Sequence, residues 1–139
     1  MTGRPGKERG AATIEVALLV PVIIVLLVFT IAGARLVDTR GAIDGAARDA
    51  ARAASLQPSP DAARAAAEDS VGANLDQRGR TCAPRRVAVD VSRFAPGGTV
   101  AVEVTCGVGL DDLAFPGLPG TKILTSRFVA PIDPLGMRP

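Results

Sequence analysis

Arg9-Gly10-Ala11-Ala12-Thr13-Ile14-Glu15-Val16-Ala17-Leu18-Leu19-Val20-Pro21 opens the stretch that decides how this chain is built. It runs on as Val22-Ile23-Ile24-Val25-Leu26-Leu27-Val28-Phe29-Thr30-Ile31-Ala32-Gly33-Ala34, so residues 16–34 are nineteen positions without a charge. At 1.5 Å per helical residue they span roughly 28 Å, close to the hydrocarbon thickness of a bilayer. A transmembrane helix is therefore expected over residues 11–34, its apolar run opening at Val16 and closing at Ala34. Pro21 fits such a helix, because membrane helices tolerate proline. Glu15 sits on its threshold. A carboxylate costs on the order of 3 kcal/mol near the centre of a membrane helix. Near the helix end the cost is smaller, and the acid still requires a partner. Five residues before it stands Gly10, the last residue of a short polar leader (residues 1–10) that carries Arg4, Lys7 and Arg9 against Glu8.

Composition removes several classes of function. The 139 residues contain no His, Trp or Tyr, two cysteines, and a net charge of +2. Without His, Ser-His-Asp and Cys-His catalysis and the usual zinc sites are excluded. Cys82 and Cys106 lie too far apart for a Cys-x-x-Cys motif. The adjacent acids Asp111 and Asp112 follow Gly109-Leu110 and read as a turn, since nothing converges on them. Arg78, Arg80, Arg85 and Arg86 cluster without interleaved aromatics, so they read as a solvated loop flanking a strand and not as a nucleic-acid footprint. Catalysis is not expected, and neither a cofactor nor a metal nor a nucleic-acid partner is implied.

Beyond the membrane run the helical spacing continues. Leu36, Ile43, Ala47, Ala50 and Ala54 share one face, and Asp44 with Arg48 and Asp49 with Arg52 form candidate pairs on the other. Gly41 and Gly45 each weaken a helix by roughly 1 kcal/mol relative to Ala and leave room for a close neighbour. The helix is expected from Ala11 to about Ala54, residues 35–56 forming a stem that depends on packing. Pro58 ends it. Ser59 offers an N-cap, with Pro60 at the first position of a second helix running to Leu75. Gly79 marks a change to β structure. Val87, Val89 and Val91 alternate with polar or small residues, as do Val100, Val102 and Val104, around the turn Ala95-Pro96-Gly97-Gly98, which predicts an antiparallel hairpin. Residues 115–120 form a second break, residues 123–129 a third strand, and the tail after Pro131 is irregular. Residues 57–139 thus make a small α+β domain. The hairpin brings Cys82 and Cys106 to the same end of the ribbon, a few residues out of register. In an exported domain they would form a disulfide closing a loop of about 24 residues, contributing roughly 3 kcal/mol in the chain-entropy model; in a cytoplasmic one they would be reduced.

The N-terminal segment admits three uses. It could be an unprocessed signal anchor that holds an interaction module at the membrane. It could be a signal peptide cleaved after Ala34, where Ala32-Gly33-Ala34 fits the small-x-small rule, releasing a secreted binding domain; the apolar run is longer than an ordinary signal core and Glu15 is then unexplained. Or it could be cut on the cytoplasmic side between Gly10 and Ala11, where glycine lets a protease approach the backbone. The new ammonium at Ala11 would lie four residues from Glu15 on one helix face, ready to pair with that acid on its own chain or a neighbour's.

Gly10-Ala11-Ala12-Thr13-Ile14-Glu15 resembles the processing motif of type IVb pilins and pseudopilins, a glycine followed by four residues and a glutamate. With the run to Pro21 and with Arg48-Asp49-Ala50-Ala51-Arg52-Ala53-Ala54, residues 9–54 resemble the TadE-like family, pilin-like proteins of the tight-adherence (Flp) pilus. Val16 stands where that family usually has Phe or Tyr. The resemblance implies an α+β, pilin-like fold in which a long N-terminal transmembrane helix continues into an extracytoplasmic stem and a small domain with a β-hairpin and a third strand. It also implies Gly10 as the last leader residue, Ala11 as the mature N-terminus and Glu15 as the assembly acid of a minor pilin. The implied partners are prepilin peptidase, the major pilin and other pilin-like subunits, the inner-membrane assembly machinery and membrane lipid. The implied location is the cytoplasmic membrane, crossed once with the N-terminus inside, or a surface pilus.

Overall fold

The computed structural model describes residues 6–113 and 117–135. Two helices precede three strands: α1 (Gly6–Ser55), α2 (Pro60–Gln77), β1 (Arg85–Arg93), β2 (Thr99–Gly109) and β3 (Thr121–Pro131). This is the α+β, pilin-like arrangement expected from the sequence. The leader residues Met1 to Pro5, the Ala114-Phe115-Pro116 part of the second break and the last four residues of the tail lie outside the described residues.

α1 is 50 residues long and begins at Gly6, earlier than Ala11. Gly6-Lys7-Glu8-Arg9 is already helical at the first described residues, and no proline falls among those four. The helix continues through Pro21 and through Gly33 without a break. Its two halves differ completely in burial. From Ile14 to Ile31 the large apolar side chains are exposed, whereas Thr39, Ala42, Ile43, Ala46, Ala47, Ala50, Ala51 and Ala54 are buried. The expected face of Ile43, Ala47, Ala50 and Ala54 is the one that packs, with Leu36 partly buried at its lower end.

α2 starts as expected. Ser59 has extended backbone angles, its hydroxyl accepts from the Ala62 N–H, and Pro60 opens the helix. It ends at Gln77, two residues beyond Leu75, before Gly79 takes φ +61°. α2 buries Ala63, Ala67, Val71 and Leu75 against α1 and β1. Alanine on both facing helices keeps the backbones close, which is what a stem without long apolar side chains requires.

The sheet is antiparallel with order β1-β2-β3. Val100, Val102, Val104, Cys106 and Val108 of the central strand face α1, and all five are buried. Val87 and Val89 pair with Val104 and Val102 from one side, and Leu124 and Ala130 pair with Cys106 and Val100 from the other. β3 is two residues longer at each end than expected, because its ladder with β2 runs unbroken from Thr99–Pro131 to Gly109–Thr121. The chain after Pro131 remains tied for one more residue: Ile132 N–H donates to Gly98 O at 2.9 Å, and Gly97 N–H donates to Ile132 O at 3.2 Å.

Two local expectations are corrected. Among the described residues, no ion pair joins Asp44 to Arg48 or Asp49 to Arg52. Asp49 instead accepts from the Asn74 side chain of α2 at 3.0 Å, and the Arg48 guanidinium lies over the Phe128 ring of β3, 5.3 Å from its centroid. An exposed i, i+4 pair contributes only a few tenths of a kcal/mol, so a neighbour on a packed element displaces it easily. The room at Gly41 is likewise unused, with nothing within 4 Å of a Cβ built there, while at Gly45 the Arg78 guanidinium stands 3.5 Å away.

Candidate functional site

The residues singled out near the N-terminus lie on one uninterrupted helix. Gly10 is exposed, with nothing within 4 Å of the place a Cβ would occupy. Ala11 continues the helical backbone, and Glu15, one turn further on, is exposed, as is Val16. Gly10 and Glu15 are about 7.5 Å apart along the axis. The bond after Gly10 therefore sits in helical backbone, and a protease that reads extended chain must unwind it first; glycine lowers the cost of that by about 1 kcal/mol. Ala34 is exposed and lies mid-helix, with no turn or break between Ala32 and Arg35.

The exposed stretch is long and apolar enough to cross a membrane. Phe29 is 74% exposed and Leu18 68%. Among the described residues nothing packs over them, and water is a poor solvent for such a surface. Thr30 shows how the segment handles its one mid-run hydroxyl: Oγ1 donates back to Leu26 O at 2.8 Å, leaving no unsatisfied donor towards lipid.

Where the apolar run ends, the domain is fastened to the helix. Arg80, from the turn after α2, donates through Nη2 to Asp38 Oδ2 and through Nη1 to Thr39 Oγ1 at 3.1 Å. Thr39, only 2% exposed, passes its own hydroxyl hydrogen to Arg35 O at 2.8 Å. Arg35 in turn reaches Asp112 O, in the connection after β2, at 3.4 Å. Sequence reading placed Arg78, Arg80, Arg85 and Arg86 together as a solvated loop. In the structure Arg78 and Arg80 lean on α1, Arg85 lies near Gly72 of α2 with Nη2 3.9 Å from where its Cβ would be, and Arg86 is exposed. Arg80 and its partners Asp38 and Thr39 lie 42 and 41 residues apart in the chain, so no local spacing announced them.

Cys82 and Cys106 form a disulfide, their Cα atoms 5.0 Å apart. Residues before β1 run beside β2 as the hairpin geometry requires: Ala83 N–H donates to Gly107 O at 3.0 Å, and Gly107 N–H donates to Pro84 O at 2.9 Å. A side chain at Gly107 would meet the Ala83 carbonyl at 2.5 Å, so the close approach needs glycine. Cys106 borders the same recess as Thr39, Ile43 and Arg80, so the bridge closes the end of the domain nearest the apolar helix.

At the opposite end a groove of about 1080 Å³ opens between the α1–α2 turn, the β1–β2 turn and the chain after β3. Leu56, Pro58, Phe94, Pro96, Ile132 and Leu135 line it. Its carboxylate, Asp133, accepts from the Leu135 N–H at 2.9 Å and so serves the turn. Asp111 and Asp112 form the expected turn, with Asp112 N–H donating to Gly109 O at 3.2 Å. Among the described residues, no group of three or more Cys, Asp or Glu side chains could hold a metal ion.

Residues 10–52 match a family model described as TadE-like protein. The match begins at Gly10 and lies wholly within α1, spanning the exposed apolar run and most of the packed stem. No curated protein and no solved structure matches the chain.

Proposed function

We propose, with the TadE-like match over residues 10–52 as premise, that this chain is a minor pilin-like subunit of a tight-adherence type IVb pilus, cut after Gly10 by a prepilin peptidase. The observation that carries this reading is Glu15, exposed on an unbroken helix one turn from Ala11 and directly before nineteen uncharged residues. A cut after Gly10 removes the basic leader and leaves an ammonium at the helix N-terminus. The acid there is favoured by the helix dipole by about 0.3–1 kcal/mol, and more when partly buried.

The pairing has a physical purpose. Lipid tails and the apolar side chains of another subunit are equally apolar, so exchanging one for the other supplies little force and no register. Helices with uniform apolar surfaces could slide past each other at small cost. One charge pair at the membrane face, between Glu15 of one subunit and the ammonium of the next, makes a single axial offset favourable. The stem, bolted to α2 and the sheet, then carries the small domain outward at a set height. The Cys82–Cys106 bridge supports an extracytoplasmic place for that domain.

N-terminal sequencing of protein from its native membrane tests the processing step. Ala11 is expected; Met1 would mean an uncut anchor and Arg35 a secreted domain. Glu15→Ala should leave insertion and processing intact but reduce recovery of the subunit in sheared pili, and normal recovery would remove the assembly role of the acid.

A further inference from the structure

The connection between β2 and β3 leaves the sheet at the end nearest the apolar helix, since Gly109 pairs with Thr121 there and Leu110 N–H donates to Gly120 O at 3.0 Å. Its height relative to α1 is set by Arg35, whose guanidinium reaches Asp112 O. Arg35 is the first residue after the uncharged run of residues 16–34. Side chains on a helix lean towards its N-terminus, so that contact lies level with, or below, the Arg35 Cα, on the side of the apolar run. The Gly117-Leu118-Pro119-Gly120 turn belongs to the same connection. Gly117 and Gly120 take φ +89° and +138°, and a side chain at Gly120 would meet Leu110 Cδ1 at 2.9 Å, so the turn has a defined shape. Leu113, in the same connection, is buried in the core, whereas Leu118 is 52% exposed.

We propose that this turn rests on the outer surface of the same bilayer that α1 crosses, with Leu118 seated at the boundary between headgroups and acyl chains. The inference rests on the reading of α1 as a membrane span. The connection is tied to α1 at Arg35, the residue that directly follows the apolar run, which is why lipid is the occupant. Charges at this level balance: Arg35 and Lys122 stand against Asp111 and Asp112, and the Asp112 carboxylate folds back to within 3.5 Å of the Gly109 Cβ position. Contact is therefore apolar and not electrostatic, and should persist in high salt. Such a footing would hold the domain at one tilt before lateral assembly, giving the α1 stem a fixed orientation for its neighbour.

The chain has no Trp or Tyr, so a single introduced Trp reports alone. Three exposed positions serve: Leu118→Trp in the turn, Phe29→Trp in the apolar helix and Leu56→Trp at the far pole. Each full-length variant is reconstituted in phosphatidylcholine vesicles with and without brominated acyl chains. Phe29→Trp and Leu118→Trp should both lose emission on brominated lipid, with a blue-shifted maximum, in low and high salt, while Leu56→Trp keeps full emission. If Leu118→Trp behaves like Leu56→Trp while Phe29→Trp is quenched, the footing is wrong and the membrane span stands. If Phe29→Trp is also unquenched, the span itself is wrong and the footing falls with it.

Discussion

Ala67→Leu tests whether the stem owes its form to close packing against α2. Ala46, Ala47, Ala50, Ala51 and Ala54 of α1 and Ala63 and Ala67 of α2 all have no accessible surface. A leucine at position 67 brings three more carbon atoms into a contact with no accessible margin. Were there space, those atoms would contribute roughly 2 kcal/mol by burial at about 0.8 kcal/mol per methylene. With none, α2 must move away from α1 or the new side chain must leave its rotamer, which costs about 1–3 kcal/mol net. For a domain of this size, a loss of about 2 kcal/mol lowers Tm by roughly 8–16 °C. The control is Ala65→Leu, on the exposed side of the same helix, where the change should stay within about 0.5 kcal/mol. Thermal unfolding of the full chain in detergent micelles, followed by far-ultraviolet circular dichroism, reads both. Equal melting temperatures for Ala67→Leu and Ala65→Leu would mean that α2 does not clamp the stem, and the packing account of the long helix would be refuted.

Replacing Cys82 and Cys106 together by Ser should remove roughly 3 kcal/mol of stability, which urea titration at fixed temperature would measure; a loss under about 1 kcal/mol would mean the denatured chain is already restrained. Arg80→Ala should cost about 1 kcal/mol, chiefly through the half-buried bond to Thr39, and Arg80→Lys should not restore it because one ammonium cannot reproduce the two-pronged contact with Asp38 and Thr39. A double-mutant cycle with Asp38→Asn should give a coupling below about 0.5 kcal/mol, since that carboxylate is exposed. The Asp90 carboxyl lies below its ordinary value of 3.8, first because the Ser92 side chain bonds it, then through the Ser92 backbone N–H and nearby Arg127 and Arg93. Its contribution is thus fully present above pH 3.8 and fades as pH falls through the depressed value; in an NMR titration Ser92→Ala should move the Asp90 midpoint upward, and an unmoved midpoint would discount the Ser92 hydroxyl.

Local spacing carried much of this architecture. A charge-free run of membrane length, Ser59-Pro60 before an alanine-rich segment, and alternating valines on both sides of Pro96-Gly97 each depend on neighbours within a few residues, so one-dimensional periodicity suffices to read them. The hairpin likewise follows from its turn, which brings Cys82 and Cys106 to one end of the ribbon, although its register shifts at an irregularity between Asp90 and Arg93. Gly10, Ala11 and Glu15 owe their geometry to a single helix, and the candidate processing site was legible for the same reason. What only the tertiary structure decided is which groups meet across long chain separations. Arg80 takes Asp38 and Thr39, Arg48 takes Phe128, Asp49 takes Asn74, and Arg35 takes Asp112. Arg48 and Asp49 each had a local partner within one helical turn, worth a few tenths of a kcal/mol, and Arg35 and Arg80 could have stayed in water. Burial of the alanine and valine faces fixes how α1, α2 and the sheet lie together, and with energies that small, position in the folded chain chooses the polar partners.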